Sequence, residues 1–169
     1  AFASRIQRTI LDPLGMQHSD FVRTDRVTER LVDGHARRFG RPTRVEDLDI
    51  IPSPAGSLFT CVDDMAAFVA MMCGDGRHVV SRALLDEMTT PQWRIHPGLA
   101  AMGLGFMIDD VTGTHTVMHD GGLPGFVSHV RIATGDGVGV VILTNSATTT
   151  IGMDIAGLGA DLVAIATGT

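Results

Sequence analysis

Apolar residues follow two different spacings along this chain, one in each half. Near the amino terminus Phe2, Ile6 and Ile10 recur every fourth position, which predicts a helix, and the pattern stops at Asp12-Pro13. From residue 14 to about residue 57 the periodicity is poor and three prolines occur. We therefore expect a long irregular segment there, and long ordered loops are usually functional or wrapped on another domain.

Two further helices are predicted between residues 60 and 91. The first opens at Thr60-Cys61-Val62-Asp63, which resembles a capping box, and ends at Gly74-Asp75-Gly76. Ser81 caps the second, a short helix that Pro91 ends. Their apolar stripes consist of Met65, Phe68, Val69 and Met72 in the first helix and of Leu84, Leu85 and Met88 in the second.

The second half changes to short β-type runs followed by one more helix. The runs are Gly103–Ile108, Thr114–Met118, Phe126–Ala133 and Val138–Leu143, with turns at 109–113 and 135–137. They predict an antiparallel meander of about four strands. The closing helix carries the stripe Ile151, Ile155, Leu158, Leu162 and Ile165, weakened by Gly152, Gly157 and Gly159.

These elements define an α+β fold, with the meander flanked by helices. We expect one partial domain over residues 1–169. It divides into a helix plus irregular segment over 1–60, a helical segment over 61–101, and the sheet with its closing helix over 102–169.

Composition and charge exclude several classes of protein. With 169 residues, 44% hydrophobic residues and a net charge of −6, the chain is that of an acidic globular domain and not of a nucleic-acid-binding protein. The basic cluster Arg37-Arg38-Phe39-Gly40-Arg41 lies close to Glu46 and Asp47, so it is interpreted as a solvated loop. No apolar run approaches the roughly 20 residues that span a bilayer.

Cysteine spacing bears on the compartment. Cys61 and Cys73 lie near opposite ends of one predicted helix, about 18 Å apart at a rise of 1.5 Å per residue, so they cannot form a disulfide with each other. This favours a reducing compartment such as the cytoplasm. Any export signal would precede Ala1, which leaves the compartment open.

The segment His119-Asp120-Gly121-Gly122-Leu123-Pro124-Gly125-Phe126 lies between two predicted strands. Paired glycines let backbone N–H groups approach a ligand closely, and an imidazole beside them can handle protons near neutral pH. A histidine that only satisfies a local hydrogen bond is the alternative. Because adjacent glycines cost stability, we favour a functional role for His119.

Other candidate chemistries are weaker. His115 and His119 would suit a metal on a helix, but β-branched neighbours predict a strand, where four residues span about 13 Å. A metal site is therefore not expected, although a metal-dependent hydrolase using these two histidines stays as a third hypothesis. Ser57 and Ser128 are interpreted as structural, because neither lies in a G-x-S-x-G elbow. The Asp63-Asp64 pair is explained by the helix dipole.

Five segments in order resemble the C-terminal portion of the serine β-lactamase-like hydrolases. That family includes class C β-lactamases, D-Ala-D-Ala carboxypeptidases, D-aminopeptidases and family VIII esterases. The segments are Asp12-Pro13-Leu14-Gly15-Met16, Pro54-Ala55-Gly56-Ser57-Leu58 with the helix after it, Met102-Gly103-Leu104-Gly105-Phe106, the His119–Phe126 segment, and Val140-Val141-Ile142-Leu143-Thr144-Asn145.

The resemblance implies roles for the His119–Phe126 segment. His119 would stand at the first position of the family's K-T-G or H-x-G element, and the Gly122 N–H would be one of two oxyanion-hole donors. Gly121 would leave room for substrate along the strand. With Gly121, the residues Asp120, Leu123 and Phe126 would form the substrate-binding wall. No cofactor and no metal are implied.

The chain also departs from the family pattern. The family's S-x-x-K and Y-x-N elements lie upstream of its PLGM segment, and this chain has neither Lys nor Tyr. The expectation is thus an inactive, substrate-side fragment of a serine hydrolase for esters, amides or β-lactams. Its partner would be the missing N-terminal portion or a second copy of the chain. His119 in place of Lys favours esterase-like or peptidase-like members. The alternative is a degenerate member that binds ligands or partners without turnover.

Overall fold

The computed structural model of the chain describes residues 2–46, 51–74, 79–110, 113–147 and 149–169, and the side chains of all of these except residues 38 and 149–154. The element bounds and contacts that follow refer to these residues. Predictions that fall on residues 75–78 or 111–112 lie outside them.

The first helical segment runs further than its pattern predicts. It comprises α1 (Phe2–Ile6), a π-helical stretch (Gln7–Leu11) and α2 (Asp12–Leu14), so the predicted stop at Asp12-Pro13 is wrong. The π stretch accommodates Pro13, which has no N–H to offer a helical bond. Gly15 ends the segment with a φ of 72°, the left-handed conformation that glycine adopts without strain.

Residues 14 to 57 are more regular than predicted. They contain α3 (Asp25–Thr28) and a hairpin of β1 (His35–Arg38) and β2 (Arg41–Arg44). The basic cluster is therefore a hairpin and not a loop. Its two-residue turn needs positive φ at both positions, and Phe39 and Gly40 have φ of 49° and 78°. A phenylalanine in that place carries no sequence signature of such a turn.

The two helices predicted between residues 60 and 91 are confirmed. They are α4 (Val62–Met72) and α5 (Arg82–Met88). Ser81 caps α5 as predicted and accepts a hydrogen bond from the Leu84 amide at 3.3 Å. The predicted capping box of α4 is wrong, because its N-cap is Cys61, which makes no side-chain cap bond.

The meander is confirmed as an antiparallel sheet of five strands in chain order. The strands are β3 (Ala101–Met102), β4 (Met107–Asp109), β5 (Thr116–Leu123), β6 (Phe126–Ala133) and β7 (Val138–Thr144). The predicted 103–108 strand is wrong over most of its length, because residues 103–106 form a tight turn with Gly105 at a φ of 81° and only Met107 and Ile108 lie in a strand, β4. The short β8 (Ser146–Ala147) pairs in parallel with β1, which joins the small hairpin to the end of β7.

The hydrophobic core covers only one half of one sheet face. Val117 and Ile132 share that face and pack with Met71 of α4 and with Leu14. Helices α2 and α4 do not cover the part of the same face that lies nearer to the β5–β6 turn. A bare half of the sheet results, and the candidate site lies on it.

The closing helix α6 (Thr149–Thr167) covers the opposite face of the sheet. Its buried residues are Ile155, Gly159 and Val163, whereas the predicted stripe members Leu158, Leu162 and Ile165 are 47%, 39% and 77% exposed. The predicted helix is confirmed. Of its predicted stripe Ile155 is buried and the last three members are not, while the Ile151 side chain lies outside the described ones, so the predicted face is wrong for the second half of the helix. Across the described ranges, no helix combines the length and apolarity that crossing a membrane requires.

Two ion pairs stabilise this region, one between strands β4 and β6 and one between the loop before β3 and the residue after β4. Arg131 of β6 contacts Asp109 of β4 at 2.9 Å, with side chains 9% and 13% exposed. Arg94 binds both carboxylate oxygens of Asp110 at 2.7 and 2.6 Å. The Arg94 guanidinium holds the pKa of Asp110 below its ordinary value, first through this hydrogen bond and then through its charge.

Candidate active site

The second half of β5 forms an open edge of the sheet. β4 pairs with β5 only from Thr116 to Met118, whereas β6 follows β5 on its other side as far as Leu123. Among the described residues nothing pairs with the outer edge beyond Met118. The His119-Asp120-Gly121-Gly122-Leu123 sequence therefore continues the strand, whereas the sequence pattern predicts a strand that ends at Met118. An unpaired edge of this kind can accept an extended ligand.

The register of the β5–β6 hairpin directs particular backbone groups to this edge. Leu123 and Phe126 flank a two-residue turn, so they form a hydrogen-bonded pair. Such pairs alternate along an antiparallel ladder with pairs whose amide groups face away from each other. By this alternation the N–H and C=O groups of Asp120 and Gly122 face the open edge.

The tip of the hairpin is fixed by a close backbone contact. Gly125 has a φ of 86°, and a Cβ built on it would lie 2.8 Å from the Cα of Gly34. The His35 amide donates to the Gly125 carbonyl at 3.3 Å and to the Asn145 carbonyl at 2.9 Å. Phe126 packs its ring against Gly34, where an added Cβ would lie 2.6 Å from its Cε2 atom. The segment before β1 thus holds the hairpin in place.

A cleft of about 1050 Å³ lies over the bare half of the sheet. His119 and Gly121 of β5 share this face with Ser128 and Val130 of β6 and with Leu143 of β7, because their side chains alternate in register. The walls come from other elements and include His18, Arg30, Ser57, Phe59 and Met65.

His119 is exposed, and its imidazole makes no hydrogen bond with any other described residue. A Cβ built on Gly122 would meet nothing within 4 Å, whereas one built on Gly121 would clash with the Ser128 hydroxyl. Leu123 is 38% exposed at the cleft. The structure therefore brings His119, Gly121, Gly122 and Leu123 together at the cleft along β5, whereas Phe126 of β6 is directed towards Gly34.

Asp120 points to the other face of the sheet. Its carboxylate oxygen Oδ1 lies 2.6 Å from Nδ1 of His129, directly opposite on β6. His129 is 1% exposed and lies under Gly159 of α6, and its Nε2 atom is buried without a hydrogen-bond partner among the described residues. Sequence reasoning missed His129. The register of the hairpin identifies it only when the strand is continued to Leu123.

The hydroxyls of Ser57 and Ser19 are engaged in hydrogen bonds away from the cleft, whereas Ser128 lies on the cleft face with its hydroxyl beside Gly121. Ser57 is 5% exposed, and its hydroxyl accepts from the Ser53 amide at 3.2 Å and donates to the Ile51 carbonyl at 3.3 Å. Its φ of 71° is strained for a side chain other than glycine. Ser19 is fully buried, and its hydroxyl donates to the Asp64 carboxylate at 2.7 Å.

His115 and His119 are not on a helix. His115 precedes β5 and His119 lies within it. In the part of the chain that the structure describes, no group of three or more His, Cys, Asp or Glu residues could hold a metal ion.

The fold and the open strand edge define a class of protein, and comparisons with known proteins agree. A sequence model of the family described as Beta-lactamase matches residues 1–163. This chain belongs to that family. A comparison with curated protein sequences found no match.

Solved structures with the same fold include three enzymes or homologues of enzymes. A Pyrococcus abyssi octameric penicillin-binding protein homologue has a TM-score of 0.75 and 23% identity over 87% of this chain and 34% of its own. A Sulfitobacter sp. EE-36 β-lactamase has a TM-score of 0.74 and 17% identity over 98% and 54%. A D-stereospecific amidohydrolase from Streptomyces sp. has a TM-score of 0.69 and 21% identity over 86% and 44%. The chain spans between 34% and 54% of the length of these three proteins.

Proposed function

We propose that these 169 residues form the substrate-side wall of a serine hydrolase that acts through an acyl-enzyme. The observation that carries the proposal is the open edge of β5, where His119 and two glycines border a cleft. The attacking serine comes from polypeptide other than residues 1–169. The Beta-lactamase family membership supports this reaction class.

In this proposal the outer edge of β5 stabilises the transition state. The serine oxygen attacks the carbonyl carbon of the substrate, and the carbonyl oxygen becomes an oxyanion. The Gly122 N–H donates to that oxyanion, a contribution worth about 3 kcal/mol. The register of the β5–β6 hairpin supports this role, since it directs this N–H to the open edge. The second donor is the amide of the serine itself.

The other residues of the strand bind the substrate. His119 reaches the cleft with both ring nitrogens available, so it can donate to the substrate or to a catalytic group across the cleft. Gly121 leaves the strand surface flat for the substrate. Leu123 borders the cleft and Phe126 supports the turn, whereas Asp120, predicted as a substrate contact, has its carboxylate on the other face of the sheet and supports the strand from behind.

The substrate is an ester, an amide or a β-lactam. The proton of the serine hydroxyl passes to the leaving group, so that an alcohol or amine departs from an ester or amide, whereas the nitrogen of an opened β-lactam ring is protonated and stays attached to the acyl group. Water then attacks the acyl-enzyme to release the acid and regenerate the serine. Neighbours of this fold carry the names β-lactamase, D-stereospecific amidohydrolase and D-amino acid amidase. Those names support the reaction class and do not decide among the three substrates.

Active-serine labelling tests the proposal. The longest natural reading frame that contains these 169 residues is expressed and treated with a fluorophosphonate, and the labelled residue is identified by peptide mass spectrometry. We expect one labelled serine outside the 169 residues, and hydrolysis of nitrophenyl esters that the label abolishes. The 169-residue chain alone, treated in the same way, is the control and should remain unlabelled.

Two results would overturn the proposal. A longest frame that is neither labelled nor active would favour the degenerate, ligand-binding member of the family. Labelling of Ser57 or Ser128 would place the nucleophile within the chain.

A further inference from the structure

We propose that His129 is a positioning residue that holds the open edge of β5 in place through Asp120. A catalytic consequence of this support rests on the proposed function, since the supported part of β5 includes Gly121 and Gly122. The contacts that carry it are independent of any activity.

The open half of β5 needs a support that the rest of the strand does not. Beyond Met118 it lacks a neighbour on its outer side among the described residues, and it contains adjacent glycines, which have the widest backbone freedom. The ladder to β6 holds only alternate backbone groups, and those of Asp120 and Gly122 face outwards. A side-chain hydrogen bond from Asp120 to β6 therefore restrains the strand at a position where the backbone makes no hydrogen bond to β6.

The Asp120–His129 bond meets this need. The two residues form a pair without direct backbone bonds, the geometry in which opposed side chains lie closest. The carboxylate accepts, so Nδ1 of His129 carries the proton, and a charge-assisted bond of 2.6 Å is strong. Asp120 remains 49% exposed, whereas the His129 side chain is fully buried. The anchored partner is thus the histidine.

His129 is in turn fixed by α6. Its ring lies against Gly159, where a Cβ would clash with Nε2 and lie 2.5 Å from Cδ2. Within the described part of the chain Nε2 has no partner, so the bond to Asp120 is the one hydrogen bond that the described residues give this buried imidazole. The ring links α6 to Asp120, and Asp120 links it to the glycines of the open edge.

Backbone NMR on the ¹⁵N-labelled 169-residue chain tests the proposal. His129→Leu replaces the imidazole with an apolar side chain of similar volume and removes the bond, and Asp120→Ala removes the bond from the exposed side. In both we expect amide exchange at Gly121 to rise about tenfold, with little change at Val117 in the same strand. The order parameter of the Gly122 amide should fall from about 0.85 towards 0.6.

Two controls separate positioning from a general structural role. Asp120→Asn keeps an acceptor for Nδ1–H and should restore most of the protection at Gly121. Asp136→Asn removes the same charge in the exposed β6–β7 turn and should leave Gly121 unchanged. The unmodified chain should show His129 protonated at Nδ1 in a long-range ¹H–¹⁵N spectrum.

The proposal is overturned if exchange at Gly121 stays within about twofold of the unmodified chain in both variants. It is also overturned if exchange rises equally at Val117 and Gly121, since this would show a general loss of stability. A ring protonated only at Nε2 would contradict it directly. None of these outcomes depends on a serine nucleophile, so the proposed function can fail while this inference stands.

Discussion

Two glycines of α6, about half a helical turn apart, should respond in opposite ways to the same substitution. Gly159 is buried against the ring of His129, and a Cβ there would lie 2.5 Å from Cδ2. Gly157 is exposed, and a Cβ there would meet nothing within 4 Å. Alanine at either position gains the same helix propensity, so the comparison isolates the contact with His129.

The magnitudes follow from these distances. Gly157→Ala should stabilise the chain by about 1 kcal/mol, the difference in helix propensity. At Gly159 the same gain is opposed by overpacking, which costs about 1–3 kcal/mol, because a ring that is 1% exposed must move by about 1 Å. Displacing His129 also weakens its bond to Asp120, by about 1 kcal/mol at a half-exposed acceptor. Gly159→Ala should therefore be less stable than Gly157→Ala by about 2–4 kcal/mol.

Urea denaturation followed by circular dichroism measures this difference. We expect the midpoint of Gly157→Ala to lie above that of the unmodified chain, the midpoint of Gly159→Ala to lie below it, and the slopes to be similar. Equal midpoints for the two variants would refute the packing of His129 under α6.

Three further predictions concern the turn and the ion pairs. Gly125→Ala should destabilise the chain by about 3 kcal/mol or more in the same denaturation assay, because its φ of 86° and the facing backbone both oppose a side chain; a loss below about 1 kcal/mol would contradict this. Asp109→Asn should cost about 3 kcal/mol because it leaves the Arg131 charge buried without its counter-ion, and an unchanged midpoint would argue against the pair. Arg94→Gln should raise the pKa of Asp110 towards its ordinary value in a ¹³C carboxyl titration. Because that pKa is lowered in the folded chain, the stabilisation is present above the ordinary pKa and is lost as the pH falls through the lowered one, and an unchanged titration midpoint would contradict the bond.

The order of elements could be predicted from local patterns, because each depends on neighbours in sequence. The helices α4 and α5 and the order of the meander strands follow from apolar spacing and turn residues. The β1–β2 hairpin could not be predicted, since its turn uses Phe39 with a positive φ and its strand β1 is stabilised by pairing with β8. That pairing joins residues that are far apart in the chain.

The face of α6 shows a different limit. The sequence contains two apolar stripes along this helix, and the larger residues Leu158 and Leu162 favour the wrong one. The helix face that contains Gly159 packs on the sheet instead, because glycine has no side chain and leaves room for the ring of His129. Which face of α6 packs on the sheet thus depends on the shape of the sheet surface, which the sequence of the helix itself does not show.

The candidate site could be predicted in part, because its residues are adjacent in sequence but its pairing partner is not. The His119–Phe126 segment is recognisable as a sequence, but strand propensity at its glycines is low, so the pattern predicts a strand that ends at Met118. Once Leu123 and Phe126 are known to flank a two-residue turn, the pairing of Asp120 with His129 follows by counting.

The geometry of a trapped transition-state analogue would test the central claim most directly. In a crystal structure of the longest natural form, phosphonylated by a fluorophosphonate, we expect the phosphonyl oxygen about 2.7–3.1 Å from the Gly122 amide nitrogen, with the phosphorus bonded to a serine outside residues 1–169. A phosphonyl oxygen bound away from the open edge of β5 would contradict the account.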